Sequence, residues 1–284
     1  MINVDPSIKI LKKEGEDIEF LLENVTPAFA NSFRRALLSE VPILAIDEVV
    51  FLENTSVLFD EVIAHRLGMI PLKIDPQIYE VLKECYFEGN RDDCVMLFTL
   101  EVEAVDRPIT VTSGQLKFQG SLSQFPINID FTIEPVSKNI PIVKLERGQK
   151  IVLEAYAKMG VGREHAKWQP VTSPGYKYMP IIEILKEECK NNECQRCVEV
   201  CPRNVLVITN GKITVTDLYQ CSLCRACEEE CPDIIRIKWD SSKFIFKISN
   251  LGVLPIEMIL DTALEVLTVK SHSFVRELEK LISG

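Results

Sequence analysis

Cys221-Ser-Leu-Cys224-Arg-Ala-Cys227-Glu-Glu-Glu-Cys231-Pro232 carries four cysteines in the spacing C-x₂-C-x₂-C-x₃-C-P. A tight C-x₂-C-x₂-C loop wraps three thiolates around three corners of an iron–sulfur cube, and the cysteine before proline reaches a neighbouring cube. Tetrahedral zinc on four cysteines ordinarily uses two separated C-x₂-C knuckles, so the triple favours iron. The chain has 284 residues, far more than this motif needs. The cysteine stretch therefore reads as an insert in a larger protein built on other principles.

Upstream lies a degenerate copy. An offset of 30 residues places Cys194 on Cys224, Cys197 on Cys227, Cys201 on Cys231 and Pro202 on Pro232. This is the doubled pattern of two-cluster ferredoxins, in which the fourth cysteine of each half ligates the other cluster. The crossing rule then gives one complete 4Fe-4S set: Cys201, Cys221, Cys224 and Cys227. The other set holds Cys194, Cys197 and Cys231, but Asn191 stands where its first cysteine belongs, and Cys189 lies two residues earlier. Three outcomes follow for it: a second 4Fe-4S with Cys189 recruited, a 3Fe-4S cluster on three thiolates, or free or disulfide-paired cysteines. Each half is followed by a β-rich stretch, the first a hairpin over 205–215 with an Asn210-Gly211 type I′ turn.

Eight of the ten cysteines fall between Cys189 and Cys231, and such clustering at metal-site spacing fits a reducing compartment better than a disulfide framework. Cys85 and Cys94 stand apart and read as buried structural residues. A net charge of −10 argues against a surface built to neutralise phosphates, so no direct nucleic-acid contact is expected. The first residues lack a basic-then-apolar leader, and no uncharged apolar run approaches the ~18 residues of a spanning helix. A cytoplasmic protein with no membrane contact is the expectation.

The host reads as α+β. Ile8 to Leu22 suggests a hairpin turning at Glu14-Gly-Glu-Asp17. Thr26 is a candidate N-cap with Pro27 at the first helical position, and Phe29, Phe33, Ala36 and Leu37 recur at helical spacing until Pro42. A strand follows over Ile43 to Leu52. From about Glu53 to Thr172 the pattern predicts a separate α+β module, with strands over 95–105, 109–117, 127–134 and 149–159. A strand returns over 176–185. After the cysteine region, 234–239 and 244–248 read as two strands. Pro255 then opens an amphipathic helix of roughly 28 residues and about 42 Å. The stripe of Phe29 and Phe33 and the stripe from Ile259 through Leu264, Leu267, Phe274 and Leu278 to Ile282 expose more apolar surface than one sheet covers, which marks a partner interface. Arg34 and Arg35 cannot share one helix face. Gly160-Val-Gly162 is not a phosphate loop, and the carboxylates form no metal-binding motif. No catalytic residues are expected.

Asn31-Ser-Phe-Arg-Arg-Ala-Leu-Leu-Ser-Glu-Val-Pro42-Ile-Leu-Ala-Ile46, Glu53-Asn-Thr-Ser56, Asp60-Glu61, His65-Arg-Leu-Gly-Met-Ile-Pro-Leu72 and Gly162-Arg-Glu-His-Ala-Lys-Trp-Gln-Pro170 closely resemble the α-type subunit family of DNA-directed RNA polymerases, in its archaeal form with a ferredoxin-like insert. The resemblance implies an assembly role: a dimerisation domain split over 1–52, 173–187 and 239–284, with an α+β module over 53–172 and a ferredoxin-like iron–sulfur domain over 188–238 nested in it. It implies a smaller α-like subunit as heterodimer partner, with small polymerase subunits nearby. It further implies that Arg34 and Arg35 face the large catalytic-core subunit. The eukaryotic counterpart carries a four-cysteine zinc loop in the inserted module. Cys85 and Cys94 resemble its outer pair, but Phe87 and Arg91 replace the inner cysteines, so zinc there is not expected. The competing functional class is a ferredoxin-type electron carrier or oxidoreductase subunit. A cluster that regulates assembly by sensing oxygen is compatible with the scaffold reading.

Overall fold

The computed structural model describes residues 5–91, 94–121, 131–186 and 193–283. In chain order the elements are β1 (Ser7–Glu14), β2 (Asp17–Glu23), α1 (Pro27–Ser39), β3 (Ile43–Asn54), α2 (Asp60–Gly68), β4 (Leu72–Lys73), α3 (Pro76–Phe87), β5 (Met96–Glu103), β6 (Ile109–Thr112), β7 (Lys117–Ser121), β8 (Glu134–Pro135), β9 (Pro141–Leu145), β10 (Lys150–Gly160), β11 (Val171–Ile184), α4 (Glu193–Glu199), β12 (Leu206–Thr209), β13 (Lys212–Val215), α5 (Ala226–Glu230), β14 (Ile235–Asn250) and α6 (Ile256–Ser283). They divide into two compact units, residues 1–31 with 175–248, and 32–174 with 249–284.

The first unit is a sheet in the order β1-β2-β14-β11, with the cysteine region attached. The expected hairpin is present: β1 and β2 pair antiparallel, and Gly15 takes the left-handed conformation that the two-residue turn requires. Phe20, Phe244 and Phe246 are buried, with Phe20 stacked on Phe246 at 5.2 Å and Tyr176 edge-on to Phe244 at 5.5 Å. The two strands expected over 234–248 are a single strand, β14. Its polar middle is held together where Asp240 Oδ1 accepts from Ser242 N (2.9 Å) and Ser242 Oγ (2.7 Å), so the serines do not break it.

In the second unit the main sheet runs β3-β10-β5-β7. Strict alternation makes β10 its centre: Ile151, Leu153, Ala155, Ala157 and Met159 are buried on one face, as period two demands. The strand expected over 109–117 breaks after Thr112. Gln115 Oε1 accepts from the Thr112 N–H at 2.8 Å, and the buried Ser113 Oγ donates to Ser137 O at 2.6 Å, making a 3₁₀ turn between β6 and β7. Of the strand expected over 127–134, residues 127–130 lie outside the described residues, and only Glu134–Pro135 pair, as β8 with β4. Helices α2 and α3 escaped the periodicity. The second starts where Asp75 caps the Gln77 N–H at 2.8 Å and Pro76 takes the first position. Thr26 caps α1 as expected, accepting from Phe29 N at 3.2 Å.

The 28 residues of α6 match the length anticipated from the sequence. Its first half is core: Ile256, Ile259, Thr262, Ala263 and Val266 are buried, Tyr79 of α3 reaches Thr262, and Lys83 pairs with Glu265 at 3.0 Å. From Thr268 onward every residue whose side chain is described is exposed.

Candidate functional site

Helix α4 carries Cys194 and Cys197, and Cys201 follows its last turn. The chain then forms the β12–β13 hairpin, in which Asn210 and Gly211 both have positive φ, the signature of the type I′ turn. Asp217 caps a 3₁₀ turn at Leu218–Gln220 by accepting from Tyr219 N at 2.9 Å, which delivers the chain to Cys221. Between Cys221 and Cys227 both Leu223 (φ 57°) and Arg225 (φ 63°) are left-handed. Two non-glycine residues in that region within three positions hold the loop in a curl that costs on the order of 1 kcal/mol each, the kind of strain that gathers at binding loops. Helix α5 then presents Cys227, and Cys231 closes the motif. The seven described cysteines of this region are buried except Cys224, and share their core with Val205, Leu206, Ile213, Ile234, Ile235 and Ile237.

Cys201, Cys221, Cys224 and Cys227 are the four unpaired cysteines among the described residues, the same four that the crossing rule groups together. They lie near enough to act on one another: burial first, and then the Cys201, Cys221 and Cys224 thiols, push Cys227 up to about 11. Burial also raises Cys221, opposed by the Leu223 N–H aimed at its sulfur and by the Lys177 ammonium. Four converging thiols that resist ionisation on their own suit cationic metal in their midst, since metal coordination deprotonates a thiol outright. No group of three His, Cys, Asp or Glu closes around a single ion among the described residues. A four-iron cube spreads its thiolates farther apart than one ion does, so the donor chemistry fits a cluster and not a lone zinc. In the other half Cys197 and Cys231 form a disulfide with Cα atoms 5.9 Å apart, Cys194 is fully buried, and Cys189 and Asn191 lie outside the described residues.

Two residues near these sites carried no sequence signal. Lys177 on β11 donates to the carbonyls of Tyr219 and Cys221, the latter at 2.8 Å, and burial lowers its pKa. Arg91, met in the sequence only as a missing cysteine, lies in the loop between Cys85 and Cys94. These two are buried and disulfide-bonded. Arg91 binds Met159 O at 2.7 Å and Glu164 at 2.9 and 3.1 Å, and stacks over Tyr86 and Trp168. An arginine thus anchors this loop where a metal loop was the comparison.

The Gly162–Pro170 motif is structural. Trp168 Nε1 donates to Lys158 O at 3.1 Å and its ring covers Gly160, where a Cβ would overlap it. Lys167 spans Ile46 O and Asp47, and His165 caps the following 3₁₀ turn by accepting from Lys167 N at 3.1 Å. Arg66 donates to Ile142 O.

Of the residues expected at a partner interface, three require correction. Phe33, Leu37 and Ile259 are at most 2% exposed and belong to the chain's own core, because a buried stripe and an interface stripe have the same periodicity. Leu264 and Leu267 are half-buried, and Arg34 is half-buried while Arg35 is exposed. Phe29, Phe274 and Leu278 do face solvent, joined by Val269, Val275, Leu281 and Ile282.

Several small sheets and helices, with one long helix whose last turns are bare, define a mixed α/β protein consistent with an α-type RNA polymerase subunit containing an inserted domain. A family model described as the RNA polymerase Rpb3/RpoA insert domain matches residues 48–181. The chain is 39% identical to DNA-directed RNA polymerase subunit Rpo3 of Methanosphaera stadtmanae over 95% of this chain and 97% of that one. It is 38% identical to the Rpo3 of Archaeoglobus fulgidus, over 97% and 99%. With DNA-directed RNA polymerase II subunit rpb3 of Dictyostelium discoideum it shares 36% identity over 93% and 92%. The chain belongs to the Rpo3 family of DNA-directed RNA polymerase subunits. Among the described residues no helix is long and apolar enough to cross a membrane.

Proposed function

We propose that this chain is the non-catalytic assembly platform of a cytoplasmic archaeal RNA polymerase. It pairs with a smaller α-like subunit, docks the large catalytic-core subunit through Arg34 and Arg35, and takes up small subunits. The observation that carries this reading is the apolar stripe on the outer half of α6, where Phe274 is 65%, Leu281 80% and Ile282 84% exposed. Six large apolar side chains, at 269, 274, 275, 278, 281 and 282, point to a partner that covers them. The split dimerisation domain (1–52, 173–187, 239–284), with nested segments 53–172 and 188–238, belongs to the same proposal. The relatives are polymerase subunits along nearly their full length, which leaves the electron-carrier alternative without support.

The cysteine region is, on this reading, a ferredoxin-like insert whose Cys201, Cys221, Cys224 and Cys227 hold a 4Fe-4S cluster. When bound, that group supplies four metal–thiolate cross-links, whose binding free energy adds to folding. The chain's part is to bury three of the thiols, curl the Leu223–Arg225 loop and brace it through Lys177. Cys194, Cys197 and Cys231, with Cys189, are the ligands for a second cluster once the Cys197–Cys231 pair is reduced. Co-expression with a small α-like subunit tests the scaffold: a stable heterodimer is expected, and a monodisperse chain indifferent to the partner refutes it. Iron and sulfide content under anaerobic conditions tests the insert: about four irons per chain for one cluster, seven or eight for two. Cys227→Ser should abolish the first set, and unchanged iron would overturn the ligand assignment.

A further inference from the structure

The Lys177 ammonium is half-buried on the edge strand β11 and takes two backbone carbonyls, Tyr219 O and Cys221 O. These are all the hydrogen bonds it makes, and it forms no ion pair among the described residues. Glu19 and Asp217 act on it only at longer range, and Arg203 opposes them. A cation withdrawn from water with dipoles alone as partners is costly unless an anion stands nearby. The second carbonyl it holds belongs to the first cysteine of the C-x₂-C-x₂-C triple, and its charge acts on that cysteine's sulfur. Every other lysine-to-carboxylate contact in this unit that is described, such as Lys238–Glu183 at 2.8 Å and Lys243–Glu23 at 2.8 Å, is an ordinary surface ion pair. Lys177 alone turns toward the thiol set.

Resting on the cluster reading above, we infer that Lys177 is the positioning residue and counter-charge of the 4Fe-4S site, holding the Cys221 loop by its carbonyls and placing one positive charge beside an anionic cluster. A cluster carrying four thiolates is net negative and becomes more so on reduction, and its potential follows nearby charge and hydrogen bonding. A fixed ammonium therefore favours the reduced state. It also explains why an edge strand outside the cysteine motif spends a long flexible side chain on two carbonyls.

The test uses the full chain purified anaerobically, with iron and sulfide assayed and the midpoint potential read by spin resonance during a redox titration. Lys177→Gln retains an N–H donor for the carbonyls and removes the charge. It should keep its iron and titrate at a more negative potential than the parent, while Lys177→Arg keeps both iron and potential. Full iron with an unmoved midpoint in Lys177→Gln overturns the counter-charge. Should Lys177→Gln lose its iron, Lys177→Arg decides: iron retained at the parental midpoint supports the inference, and iron lost there too refutes it. A parent chain that binds no iron even after anaerobic reconstitution overturns this inference and the cluster reading together.

Discussion

Truncating Phe274 and Leu278 to alanine should separate partner binding from folding. The two positions are four apart on α6 and so share one face, and they are 65% and 40% exposed in the isolated chain. Fully burying a phenylalanine or leucine is worth ~1.5–3 kcal/mol. Covering the exposed remainder of both against a partner helix is then worth about 2–3 kcal/mol, or roughly a 30- to 150-fold change in Kd. Titration calorimetry of the double variant against the small α-like subunit reads this directly. Since neither side chain contributes to the chain's own core, the urea midpoint should stay within about 0.5 kcal/mol of the parent. Ile259→Ala on the same helix provides the contrast. That residue is fully buried, and its truncation should cost about 2–4 kcal/mol of folding. A double variant that binds within threefold of the parent would refute the assignment of this face.

Two further outcomes are expected. Gly162→Ala places a Cβ against the Leu38 carbonyl and Gln169 Cγ; the backbone cannot recede as a flexible side chain would, so chemical denaturation should show a loss of about 1–3 kcal/mol, and parental stability would mean that the loop has room to shift. The carboxyl of Asp240 is held below its ordinary value of 3.8 by the Ser242 hydroxyl and N–H. Its folded-state value being the lower one, the stability it contributes is present above that ordinary value and is lost as pH falls through the depressed one. Asp240→Asn should therefore flatten the acid limb of the stability profile below about pH 4, and an unchanged limb would show that the serine contacts do not outlast the crystal-free chain in solution.

Much of the site was legible because its chemistry is short-range in sequence. The Cys221–Cys224–Cys227 triple lies within a single loop, and the crossing cysteine, Cys201, could be placed from the repeat. The structure leaves these four thiols unpaired and close together, in keeping with that grouping. Lys177 was not legible. It lies more than forty residues from Cys221, on a strand whose pattern says only that some side chains face out. Arg91 likewise acquires its role only when Met159, Glu164, Tyr86 and Trp168 converge on it. The broken strand at Ser113 and the joined strand at Asp240 show the same limit on a smaller scale. In each a side chain's hydrogen bond decides whether the backbone turns or continues.

The spacing of the cysteine stretch over 221–232, by itself, determined that this chain carries a metal-type cysteine motif within a larger host, and the ordered motifs around it determined the family. Local patterns also set the caps of α1, the Asn210-Gly211 turn and the length of α6, since each depends on residues within a few positions of one another. Only the tertiary structure decided which half of that helix is core and which is bare. Ile259 and Phe274 obey one periodicity, and whether an apolar stripe is buried depends on what folds back against it from afar: α3 through Tyr79 and Lys83 covers the first half. It likewise decided that the thiol loop is braced by a lysine from another strand, because a charge finds its partners by distance in space and not along the chain.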